Sequence, residues 1–124
     1  MAMPPDSTAP SGSNSSESTI SVEHRPASAP SFAAVVALCG EHDLATDREL
    51  RQALEGLYGN VLVDLTACEF IDSTIIGALL DSARDRTREG QRLELLVPTE
   101  NTIITRILEI AGVNTLLTIR TTTP

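Results

Sequence analysis

Val61-Leu-Val-Asp-Leu65, followed after a short connection by Phe70-Ile-Asp-Ser-Thr-Ile-Ile-Gly77, is the passage on which the fold turns. The first run is short, apolar and rich in β-branched residues, as a strand inside a sheet requires. At Asp72-Ser73-Thr74 the period changes. Ile75, Ile76, Leu79, Leu80 and Ala83 recur at helical spacing, while Asp81, Asp85 and Arg88 fall on the opposite face. The pattern predicts a helix from about Ser73 to Glu89, closed by Gly90 at C′. Strand, polar loop and helix in that order make an α/β unit, with the polar triplet at the strand-to-helix edge.

Reading outward extends the unit in both directions. Downstream, Arg92–Val97 predicts a strand, and Pro98-Thr99 opens a helix with Ile103, Ile104, Ile107, Leu108 and Ala111 as its buried stripe. Gly112 ends it, and Leu116–Arg120 is a last strand. Upstream, Phe32–Cys39 is a buried strand bounded by Pro30 and Gly40, and Gly40–Leu44 reads as a polar loop. Thr46 and Glu49 form a capping box for a helix carrying Leu50, Leu54 and Leu57, stopped by Gly56 and Gly59. Ile20 and Val22 alternate with polar neighbours as on a half-exposed edge strand, and the Pro26–Pro30 break lets that strand pair antiparallel with the next. The order is β-β-α-β-α-β-α-β. Right-handed crossovers then give an α/β fold: a mixed, mostly parallel sheet packed with helices, with an antiparallel first strand.

Residues 1–17 are rich in Pro, Ser and Ala and nearly free of large apolar groups, so we expect a disordered tail, either bland or phosphorylatable. The folded domain is expected over residues 18–120, with 121–124 frayed.

Composition excludes several functions. Aromatic residues make up 2% of the chain against 41% apolar overall, so the core is aliphatic. The net charge is −8, with nine Arg and no Lys, which argues against binding a nucleic-acid backbone. No run is long enough for a membrane span, and nothing resembles a secretory leader, so a cytoplasmic location is expected. Cys39 and Cys68 have no paired spacing and read as reduced residues. Phosphate loops and nucleophile elbows are absent. His24 and His42 have no ligand partners at metal spacing and read as solvated surface residues. No catalytic group, metal or cofactor is expected, and the chain reads as a non-enzyme. Asp43, Asp64 and Asp72 lie near the ends of strands, so the 40–44 and 66–74 loops should share the carboxyl edge of the sheet.

At that edge, Asp72 or Ser73 suits a helix N-cap. A hydroxyl there also suits a phosphoacceptor, because a helix N-terminus tolerates the added anion.

These residues resemble the STAS domain family, in particular the bacterial anti-sigma factor antagonists. Gly40-Glu41-His42-Asp43 is similar to that family's Gly-Glu-x-Asp turn, and Phe70-Ile-Asp72-Ser73-Thr74-Ile-Ile-Gly77 to its Asp-Ser-[Ser/Thr]-x-x-Gly segment. The order of elements through Gly112-Val113 also matches, over about residues 19–120. The resemblance implies a STAS-like fold and a non-catalytic protein. It implies a phosphoacceptor at Thr74, with Ser73 as the cap and the alternative acceptor. It implies partner contacts from Glu41, Asp43, Asp72, Ser73, Thr74 and Gly77. The implied partners are an anti-sigma factor of the Ser/Thr kinase type, bound when the chain is unphosphorylated, and a metal-dependent Ser/Thr phosphatase. Neither nucleic acid nor membrane is among them; oligomeric state is left open, a weak homodimer being one option. Ile75 stands where the family usually has Gly, a β-branched residue expected to reshape kinase access. The second reading is a STAS adaptor or sensor module that is not phosphorylated.

Overall fold

The computed structural model describes residues 18–26 and 31–123. The expectation for residues 1–17 and most of the Pro26–Pro30 break fall outside them. Nine elements and a 3₁₀ turn follow in order: β1 Thr19–His24, β2 Ala34–His42, α1 Leu44–Glu55, β3 Val61–Asp64, β4 Cys68–Ile71, α2 Ser73–Arg88, β5 Leu93–Leu96, α3 Thr102–Ala111, the 3₁₀ turn Val113–Thr115 and β6 Ile119–Arg120. The sheet runs β1-β2-β3-β5-β6, with β4 paired to β2. β1 is antiparallel to β2, and the remaining pairs are parallel. This is the mixed α/β sheet that the pattern predicts.

Alternation along the strands sorts side chains between two faces. Ala34, Val36 and Leu38 of β2, Val61 and Val63 of β3, and Leu93 and Leu95 of β5 join Leu50, Leu54, Ile75, Ala78, Leu79, Ile104 and Leu108 of the three helices in one core. The opposite face holds a smaller set: Phe32, Val35, Leu62 and Leu96. Glu94 lies on this second face. Its carboxylate accepts from Arg92 Nε and Arg120 Nε, both at 2.6 Å, and each guanidinium carbon stands 5.6 Å from the Phe32 ring centre.

Several local expectations need correction. Gly40–His42 is strand, not loop, and Cys68–Ile71 is an additional strand beside it. Gly40 has φ 82°, and the register shifts between Gly40 and Glu41. A glycine in the left-handed region lets the chain bulge there and pick up β4 after leaving β3. α1 starts at Leu44 behind Asp43, so Thr46 lies within the first turn instead of capping it. α3 starts at Thr102 behind Asn101, not at Pro98-Thr99, and β6 is reduced to two residues. Ile103 and Ala111 are exposed, because only Ile104 and Leu108 of α3 turn fully into the core. His24 is exposed as expected, and residues 121–123 are exposed and irregular.

Candidate functional site

The carboxyl edge of the sheet is where β2 and β4 end side by side. The Asp72 amide donates to the His42 carbonyl at 3.3 Å, so the two loops singled out in the sequence are tied directly. Each strand end then launches a helix with an aspartate cap. Asp43 Oδ1 accepts the Ala45 amide at 2.9 Å. Asp72 Oδ1 accepts three donors: the Thr74 amide at 3.0 Å, the Ile75 amide at 3.2 Å and the Thr74 hydroxyl at 2.6 Å.

Asp72, not Ser73, is therefore the N-cap of α2. A carboxylate at this position reaches the unpaired amides and also opposes the positive end of the helix dipole, which a serine hydroxyl cannot do. Burial works to raise the Asp72 pKa, but the Thr74 hydroxyl, the Ile75 and Thr74 amides and the Leu44 amide outweigh it, and the carboxyl is held below its ordinary value. Asp72 caps α2, and its own amide bonds the carbonyl of His42, the residue before Asp43, which caps α1, so the two helix starts are neighbours.

Ser73 is exposed at the first helical position, and Thr74 is half-buried. Ile75 is fully buried, so its branch enters the core instead of altering the outer surface of the turn. Gly77 lies one turn on, at the seam with α1, where a Cβ would stand 3.8 Å from Arg51 Nη2. Glu41 is exposed and registers beside Phe70 on β4. Phe70 is 43% exposed and Leu44 71%, which puts two large apolar side chains among the acidic groups of this edge. The Ser18 hydroxyl donates to the Glu41 carbonyl, so β1 also begins here.

His42 overturns its expected place on the surface. As the last residue of β2 it turns into the core and is fully buried. Its Nε2 lies 2.8 Å from the Cys39 carbonyl, which can only accept, so the proton is on Nε2. Nδ1 lies 3.0 Å from the Thr46 hydroxyl. The ring fixes the corner between β2 and α1 and so positions Glu41 and Asp43. Burial was hidden in the sequence because the flanking Glu and Asp read as loop. Asn101 is a second residue that sequence reasoning missed. Its Nδ2 donates to the Leu65 and Cys68 carbonyls at 3.0 and 2.9 Å while its Oδ1 accepts the Ile104 amide, pinning the β3–β4 turn to α3. An Asn before an apolar helical run was its available signal.

Burial pushes the Cys68 thiol up to about 11, and both cysteines are free. Among the described residues no group of three or more His, Cys, Asp or Glu could hold a metal, and no helix is long and apolar enough to cross a membrane.

A family model described as "Mlab, STAS domain" matches residues 27–118. The chain belongs to the STAS domain family. Its fold is similar to that of an anti-sigma factor antagonist from Mycobacterium paratuberculosis, with a TM-score of 0.72 at 21% identity over 89% of this chain and 91% of that one. It is similar to the anti-sigma factor antagonist SpoIIAA in its unphosphorylated form, with a TM-score of 0.64 at 19% identity over 85% and 90%. It is also similar to the Bacillus cell fate determinant SpoIIAA in its phosphorylated form, with a TM-score of 0.60 at 18% identity over 82% and 90%. At these identities the likeness is one of fold. No curated protein sequence matches this STAS domain.

Proposed function

We propose that this STAS domain is an anti-sigma factor antagonist: a non-enzymatic, cytoplasmic protein-binding switch. In its unphosphorylated form the Glu41–Asp43 and Asp72–Thr74 edge binds an anti-sigma factor of the Ser/Thr kinase type and frees a sigma factor. That partner phosphorylates Thr74, with the exposed Ser73 as alternative acceptor, and binding is lost. A metal-dependent phosphatase restores the bound form.

The observation that carries this reading is the convergence of both loops on one edge, joined by the Asp72 amide and the His42 carbonyl. The similar folds include one antagonist in both phosphorylation states. The chemistry is favourable too. The Thr74 hydroxyl now donates its proton to Asp72. A phosphate removes that donor and sets about −1.5 to −2 charges beside an ionised carboxylate at neutral pH. A like-charge contact across a desolvated interface costs several kcal/mol, and every 1.4 kcal/mol is about tenfold in affinity.

The test is phosphorylation by a purified kinase-type anti-sigma factor with Mg-ATP. Labelling of the wild type that is lost in Thr74→Ala supports the assignment. Labelling that survives Thr74→Ala and disappears in Ser73→Ala moves the acceptor. A chain that is never labelled and binds its partner equally well as Thr74→Glu fits the constitutive adaptor reading.

A further inference from the structure

We propose that Arg51 is the cation that receives a phosphate on Thr74, turning from Asp81 to the modified side chain; this rests on the reading of Thr74 as an acceptor. Both α1 and α2 follow parallel strands, so both begin at the same edge and run side by side. The Asp72 amide bonds the His42 carbonyl, so α1 and α2 start from adjacent strand ends. Arg51 follows Leu44 by the same seven positions that separate Thr74 from Asp81. In agreement, Arg51 Nη1 meets Asp81 at 2.9 Å across the seam, while its Nε meets Asp47 on its own helix at 3.1 Å.

Thr74, Gly77 and Asp81 follow one another at helical spacing along the α2 side of this seam. Helical side chains lean toward the N-terminus, so the guanidinium reaches back from Arg51 toward the site. Its Nη2 would be 3.8 Å from a Cβ on Gly77, and Gly77 is three residues from Thr74, about 4.5 Å along the axis. The glycine leaves the path between Arg51 and Thr74 open. Asp81 also has a second cation, Arg84 at 3.1 Å, so it keeps a partner when Arg51 turns away. Without Arg51 the phosphate would stand beside the Asp72 carboxylate, which Thr74 already touches. A guanidinium forks onto phosphate with paired N–H groups and is the side chain best suited to this transfer.

The modified chain stays folded in this scheme because Arg51 accepts the new charge. Partner release then follows from altered surface charge rather than from unfolding. Arg51 is a positioning residue and does not take part in phosphoryl transfer.

The experiment incorporates phosphothreonine at position 74 during translation, so it needs no kinase. Failure of labelling by the kinase sinks the acceptor assignment, whereas this experiment addresses Arg51 alone. The second ionisation of the phosphate is followed by ³¹P NMR in wild type, Arg51→Gln, Arg51→Lys and Arg48→Gln chains. Expected is a phosphate that titrates below its ordinary value of about 6 in wild type and is raised by ~1 unit in Arg51→Gln, the lower end of what an adjacent guanidinium does to an acid. Arg51→Lys should restore part of the shift, and Arg48→Gln, on the exposed side of α1, should change nothing. A phosphate indifferent to Arg51→Gln, or one that responds to Arg48→Gln instead, overturns the proposal. Should Arg51→Gln not fold, the ¹⁵N–¹H signal of Arg51 Nε in the wild-type background decides: movement on phosphorylation is required, and an unmoved signal overturns it.

Discussion

Replacing Asp72 with alanine removes the hub of the candidate site. Two backbone amides, of Thr74 and Ile75, and the Thr74 hydroxyl all end on Asp72 Oδ1. Loss of an N-cap costs roughly 0.5–2 kcal/mol, and loss of a negative charge at a helix N-terminus roughly 0.3–1 kcal/mol more. The two contributions together place Asp72→Ala at ~2 kcal/mol. With a urea slope of ~1.5 kcal/mol/M the unfolding midpoint should fall by about 1.3 M. The melting temperature should drop by about 8 °C, at ~4 °C per kcal/mol for a domain of this size. Asparagine caps nearly as well but carries no charge, so Asp72→Asn should lose about half as much. The pH dependence separates the two contributions. The Asp72 carboxyl is held below its ordinary value in the folded chain. Its stabilisation is therefore complete above about pH 4, the unfolded value, and is lost as pH falls through the lower folded value. The advantage of wild type over Asp72→Asn should close over that acid range. The assay is urea unfolding followed by far-ultraviolet circular dichroism at several pH values. A loss below ~0.5 kcal/mol for Asp72→Ala, or a gap from Asp72→Asn that stays constant with pH, refutes the charged cap.

Three further outcomes are expected. His42→Ala should cost roughly 3 kcal/mol in urea unfolding, since it opens a cavity and strands the Cys39 carbonyl, and it should broaden amide signals at Glu41 and Asp43 in ¹⁵N–¹H spectra. Arg86→Ala should cost roughly 3–5 kcal/mol by the same assay, because its buried guanidinium donates to the Leu54, Leu57 and Gly59 carbonyls at 2.6, 3.2 and 2.9 Å. Glu94→Gln should destabilise by roughly 2–4 kcal/mol, leaving Arg92 and Arg120 facing each other across Phe32. Burial acts to raise the Glu94 pKa, but Arg120 and Arg92 hold it down, so the wild-type advantage is present at neutral pH and fades on acidification below about pH 4. Midpoints measured at two pH values check this.

The helices and central strands were legible because their burial is periodic: Leu50 and Leu54, Val61 to Val63, and Ile75 with Leu79 each repeat at the spacing of their element. The edge was harder to read. Gly40-Glu41-His42 looks like a loop by composition, yet hydrogen bonding to a strand remote in sequence makes it sheet, and no local period announces a four-residue strand such as Cys68–Ile71. The same non-local pairing buried His42. Capping errors had a different origin. Thr46 with Glu49 fits a capping box, but Asp43 lies three residues earlier and starts the helix first, and Asp72 displaces Ser73 because its carboxylate reaches two amides together. The triplet itself was visible as a motif. Its placement beside the start of α1, on which both the proposed switch and the proposed role of Arg51 depend, exists only in the folded chain.

The central claim is that modification of the Asp72–Thr74 edge controls partner binding. It is tested most directly by measuring the affinity of a kinase-type anti-sigma factor, by calorimetry, for the unmodified chain and for the chain carrying phosphothreonine at position 74. Tight binding by the unmodified chain is expected, with a loss of at least about a hundredfold on phosphorylation, corresponding to ~3 kcal/mol of charge conflict at the interface. Equal affinities for the two forms would contradict it.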